Sequence, residues 1–137
     1  MSTFVDSQIS QNASYAGSIA VPLTAAPVLF GTLGINLATA TTNTRVELSA
    51  TVAVTTLLAV LGTVTILIFR DTTQIYSATT ALPVNALDTL TFTVSATDFN
   101  VPTTPSFPIY TAYVLGSGIN LANRTGPESL SAVAVSD

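Results

Sequence analysis

The chain has 137 residues, a formal net charge of −4, three Arg as its only cations, and no Lys, His or Cys. That excludes a basic nucleic-acid patch, disulfides and thiolate metal sites, Ser–His triads, thiol nucleophiles and Schiff-base lysines. Charged residues make up 7% of the chain, against roughly 25% in an ordinary soluble domain, so little charge keeps copies apart and burial in an assembly is favoured.

The length suits one domain with a two-layer core. The opening MSTFVDSQISQNASYAGS has no basic segment followed by an apolar run, so it does not read as a secretory signal and synthesis in a cytoplasm is expected. The sequons Asn12-Ala13-Ser14 and Asn123-Arg124-Thr125 then read as chance matches. Residues 1–17 are polar and read as an extended arm ahead of a domain over 18–137. Phe4, Val5, Ile9 and Tyr15 would anchor that arm, either on its own domain or on the sheet edge of another subunit.

Ser18 to Leu23 and Val28 to Ala38 are the first candidate strands. Val46, Leu48, Ala50, Val52 and Val54 then alternate with Glu47, Ser49 and Thr51, the period-two signature of a half-buried strand. The uncharged run Thr51 to Phe69 is as long as a membrane span. Its many β-branched residues, the interruption at Gly62 and the absence of flanking Trp or Lys/Arg asymmetry instead predict strands. Thr63 to Phe69 is the next strand, Arg70-Asp71-Thr72-Thr73 a turn, and Gln74 to Ser77 the return.

Asp88 to Ser95 alternates with Leu90, Phe92 and Val94 inward. In Pro108 to Leu115, Ile109, Thr111, Tyr113 and Leu115 are expected to share a face. Ser129 to Val135 closes the domain, with Leu130, Ala132 and Ala134 on one side. Prolines and glycines punctuate these segments, and none has a 3.6 period. The expected fold is therefore all-β, an antiparallel β-sandwich or jelly roll of about 7–10 strands.

Leu57-Leu58-Ala59-Val60-Leu61 breaks the alternation where a connection is expected. Two readings stand: a strand or bend buried over the core, or an exposed apolar tip that docks on a neighbouring subunit. The candidate interface is accordingly Phe4, Val5, Ile9, Leu57, Leu58, Val60 and Leu61.

No reaction is announced. Gly31-Thr32-Leu33-Gly34 lacks the context of a phosphate loop. Asp88 and Asp98 flank one strand and should lie roughly 30 Å apart, too far for a glycosidase pair. Asp98-Phe99-Asn100 reads as an Asx-type turn in preference to a calcium site. Arg45, Glu47 and Arg70 are a candidate cross-strand ion cluster. No catalytic residue, cofactor or metal is assigned.

Four strings, RVELSATV (45–52), IFRDTTQIYSA (68–78), ATDFNVP (96–102) and RTGPESLSAVAV (124–135), resemble in this order the exosporium protein C type of small spore-surface proteins of endospore-forming bacteria. The resemblance implies a compact β-sandwich related in shape to the C1q/TNF-like jelly roll, a place in the outermost spore layer or its appendages, and no catalysis. It transfers no site residue, and the apolar Leu57–Leu61 stretch departs from it. The leading expectation is a self-assembling structural subunit of the spore surface, partnered by its own copies and other spore-surface proteins. The alternatives are a C1q/TNF-like trimeric binding module, with Phe107 and Tyr110 stacking a ligand at the Pro102–Pro108 loop, and a viral capsid-type jelly roll.

Overall fold

The computed structural model describes all residues, Met1–Asp137. Nine strands follow in order: β1 (Thr3–Ala13), β2 (Val21–Pro22), β3 (Val28–Gly34), β4 (Arg45–Thr56), β5 (Thr63–Arg70), β6 (Thr73–Ala81), β7 (Thr89–Asp98), β8 (Ile109–Gly116) and β9 (Ala122–Ser136). One sheet has the order β1-β9-β4-β7, with β2 also on β9; the other has the order β3-β8-β5-β6. Every pairing is antiparallel. The chain passes back and forth between the sheets, as in the double-sheet jelly roll.

The core follows from the period of two. Val46, Leu48, Ala50, Val52 and Val54 of β4 face Val64, Ile66 and Ile68 of β5 across the interior, and Leu130, Ala132 and Ala134 of β9 join them. The 51–69 run is thus the end of β4, a connection and β5. No helix is long and apolar enough to cross a membrane. In β7, Val94 and Ala96 are buried, with Leu90 and Phe92 packed beside the core.

In β8 the inward residues are Tyr110, Ala112 and Val114. Ile109, Thr111, Tyr113 and Leu115 do share a face, and it is the outer one. The N-terminal segment is not set apart from the sandwich. Thr3–Ala13 runs as edge strand β1 along β9 of the same chain, pairing Thr3 with Ser136 and Ser10 with Leu130.

β3 shows how a small residue positions the layers. Its register slips between Leu29 and Gly31, a bulge that turns both Phe30 and Gly31 inward. A Cβ on Gly31 would lie 2.8 Å from the Leu130 Cβ of the facing sheet. Gly31→Val is expected to lower stability by about 1–3 kcal/mol through overpacking, read as a lower urea midpoint at unchanged slope.

Candidate assembly interface

Three connections meet at one end of the sandwich: residues 57–62 between β4 and β5, 82–88 between β6 and β7, and 117–121 between β8 and β9. Main-chain bonds stitch them together. Leu57 N–H donates to the Leu121 carbonyl (2.8 Å), Leu87 N–H to the Thr56 carbonyl (2.8 Å) and Leu82 N–H to the Gly62 carbonyl (2.9 Å). The buried Thr56 hydroxyl donates to the Asn85 carbonyl (2.6 Å) and accepts from the Asp88 N–H (3.0 Å). Leu82 and Leu121 turn into the core and moor the loops.

The remaining apolar side chains stand outward. Leu57, Leu58, Val60 and Val84 are exposed, and Leu61, Leu87 and Ile119 are 87%, 76% and 72% exposed. Of the two readings of Leu57–Leu61, the buried one does not hold: the segment is an exposed tip. Three loops, and not one, make it. Val84, Leu87 and Ile119 lie in turn-rich segments where polar residues are the norm. That misplaced hydrophobicity was the available signal.

The other sequence-derived interface residues lie elsewhere. Phe4 and Ile9 are exposed on β1, along the side of the sandwich, whereas Val5 packs against its own core. The seven residues therefore form no single surface. At the Pro102–Pro108 loop, Phe107 is exposed but Tyr110 is fully buried, which removes the stacking pair expected there.

The charges gather at the opposite end. Arg70 Nη1 donates to Asp98 Oδ2 (2.5 Å), joining β5 of one sheet to β7 of the other, and the Tyr110 hydroxyl donates to the same oxygen (2.8 Å). Arg45 pairs with Asp137 (3.4 Å) and donates to the Ser2 hydroxyl. The expected Arg45–Glu47–Arg70 cluster is absent: Glu47 is exposed on the outer face of β4, and neither Arg pairs with it. Arg45 and Arg70 each find an Asp at a neighbouring chain or strand end instead. Asp98-Phe99-Asn100 ends β7 with Asn100 in the left-handed region (φ 54°), and the Asp98 carboxylate is taken by Arg70 and Tyr110.

Burial, then the hydrogen bond to Asp98 and its negative charge, raise the Tyr110 pKa far above the ordinary phenol value of 10.0, while Arg70 opposes the shift. The native state keeps this proton where the unfolded chain begins to lose it. Stability from this group is fully present below about pH 10 and declines above it. The urea midpoint is expected to fall progressively as the pH rises above about 10, by less in Tyr110→Phe than in the parent chain.

A second ion pair lies inside the sandwich. Arg124 Nε and Nη2 donate to Glu128 Oε2 and Oε1 at 2.6 and 2.7 Å, and Asn12 Nδ2 donates to Oε1 at 2.8 Å. Residues four apart on a regular strand would stand roughly 13 Å apart. Here Arg124 sits opposite Val54 and Glu128 opposite Val52, so three β9 residues bulge against Ala53 alone. The bulge makes the two side chains neighbours on one face. Gly126 has φ 86° within it, and a Cβ there would lie 2.7 Å from the Tyr15 carbonyl oxygen.

The sheet faces are polar and shallow. Hydroxyl pairs cross the strands at Thr51–Thr93 (2.9 Å), Thr55–Thr125 (3.2 Å) and Thr65–Thr79 (2.7 Å). An open groove of about 290 Å³ runs past Pro27, Leu67, Phe69 and Tyr113, and the rings of Phe69 and Tyr113 meet edge-on at 5.5 Å. No group of His, Cys, Asp or Glu is placed to hold a metal ion.

No protein-family model matches the sequence, and no curated protein is similar to it in sequence. Solved structures are similar in fold. A protein of infectious bursal disease virus, Gx strain, aligns with a TM-score of 0.57 at 10% identity, over 96% of this chain and 32% of that one. Eiger TNF from S. frugiperda aligns with a TM-score of 0.54 at 9% identity, over 98% of this chain and 94% of that one. The fold is a jelly roll. Latent PorU from Porphyromonas gingivalis also contains such a sandwich (TM-score 0.52, 11% identity), over 98% of this chain and 13% of that one. The chain spans about a third of the length of the bursal-disease-virus proteins and nearly all of the TNF domain.

Proposed function

We propose that the chain is a non-enzymatic structural subunit that assembles with copies of itself. The observation that carries this reading is the outward apolar end, with Asp88 as its one charge, of a domain with so few charges elsewhere. An exposed patch of this kind marks an interaction surface. The likeness in fold to a protein of the bursal-disease-virus particle supports a building-block role. In its finer form the proposal places the subunit on the surface of a bacterial endospore, in the exosporium or an appendage, with other spore-surface proteins as further partners. That form rests on the four strings between Arg45 and Val135.

A second reading, a TNF-like trimeric binding module, is favoured by the coverage of nearly the whole Eiger TNF domain. Light scattering after size exclusion, with negative-stain microscopy, separates the two. Open fibres, sheets or closed shells support the structural subunit, and a discrete trimer supports the module. A monomer at every concentration overturns both.

A further inference from the structure

We infer that the apolar end is a two-fold docking surface whose occupant is the same end of a second copy. This rests on the self-assembly proposed above and names its contact. The exposed leucines, valines and isoleucine come from three loops that are hydrogen-bonded to one another, so they share one end of the sandwich. A cluster of exposed apolar side chains of this kind marks an interaction site.

Charge decides the orientation. Residues 57–62, 82–87 and 117–121 contain no charged residue, and Asp88 alone stands at the rim. Asp6, Glu47, Asp71, Asp98 and Asp137 lie toward the other end, where Arg45 and Arg70 neutralise Asp137 and Asp98 and leave three net negative charges. Two copies meeting through their apolar ends put those acidic ends farthest apart. The twelve residues of β4 span roughly 40 Å, so the repelling groups are separated by many Debye lengths of about 8 Å. Several loop amides are already bonded within the chain. Recognition by apolar burial remains, and a face that is apolar on both sides complements itself, as a two-fold contact requires.

A bilayer fits less well. The end has no Arg or Lys to meet anionic headgroups and no Trp or Tyr for the interface, while Arg45 and Arg70 lie at the far end and Arg124 is buried.

The absence of Cys makes a clean test possible. Leu61→Cys is expected to give a covalent dimer with a short bismaleimide, and Thr72→Cys, at the charged end, is not. Leu61→Ser with Leu87→Ser, both at exposed sites, is expected to weaken pairing by about tenfold or more in sedimentation equilibrium. Undiminished pairing in the double variant overturns the two-fold contact and leaves the self-assembly reading standing. So does an ordered assembly of Leu61→Cys in which the introduced thiol reacts with a monofunctional maleimide yet never cross-links to its counterpart in another copy. Capture by phosphatidylcholine vesicles that the double variant loses also overturns it, in favour of a membrane. A parent chain that stays monomeric at all concentrations removes the self-assembly reading itself.

Discussion

Glu128→Gln is expected to destabilise the fold by about 3–5 kcal/mol, the cost of leaving a buried charge without its counter-ion. Arg124 is 3% exposed and Glu128 0%, so no water replaces the lost carboxylate. Gln keeps the shape and can still accept one hydrogen bond, which makes it a test of charge and not of volume. Replacing both partners, Arg124→Met with Glu128→Leu, should recover most of the loss, because the desolvation of two ions disappears along with their attraction. Asn12 is exposed and turns to water when its acceptor goes. Chemical unfolding of the parent, the single and the double variant checks this. A single variant as stable as the parent, or a double variant no better than the single, overturns the account.

Asp98→Ala is expected to cost about 2–4 kcal/mol, since it leaves a buried phenol without an acceptor and removes a charge-assisted bond from Arg70. The loss stays below that for Glu128 because Arg70 is about a fifth exposed and water screens what remains. Tyr110→Phe on that background removes the stranded hydroxyl. The second change should then be nearly neutral, or favourable, where alone it costs about 1 kcal/mol. Coupling of this sign in a double-mutant cycle marks Asp98 as the shared acceptor. Additive losses would refute that role.

Much of the architecture was legible because strand periodicity survives in a chain with so few charges. Val46 to Val54, Thr63 to Phe69 and Leu130 to Ala134 each announce one buried face, and the structure places those faces in one core. The phase of β8 was harder to read, because Tyr110 and Tyr113 are equally apolar in bulk. Tyr110 is the ring that turns inward, and its hydroxyl finds an acceptor in Asp98, twelve residues earlier. The N-terminal segment looked like an arm because its residues are polar. β1 is held mostly by main-chain bonds to β9, which leave little trace in side-chain pattern. The Arg124–Glu128 pair was hidden for a different reason: a spacing of four has no meaning on a regular strand, and only the bulge gives it one. The apolar end was half visible, as one greasy loop, while the two loops that complete it are distant in the chain and meet through the order of the sheets.

Ser2 and Asp137 are joined by a hydrogen bond, and Thr3 faces Ser136 across β1 and β9. Residues 2 and 137 thus sit side by side, at the pole away from the leucines. A fluorescent label or affinity tag attached beside either residue would project clear of that hydrophobic cap. A short linker could also join residues 2 and 137 of this domain, with new ends cut elsewhere, since adjacent domain ends are what circular permutation needs.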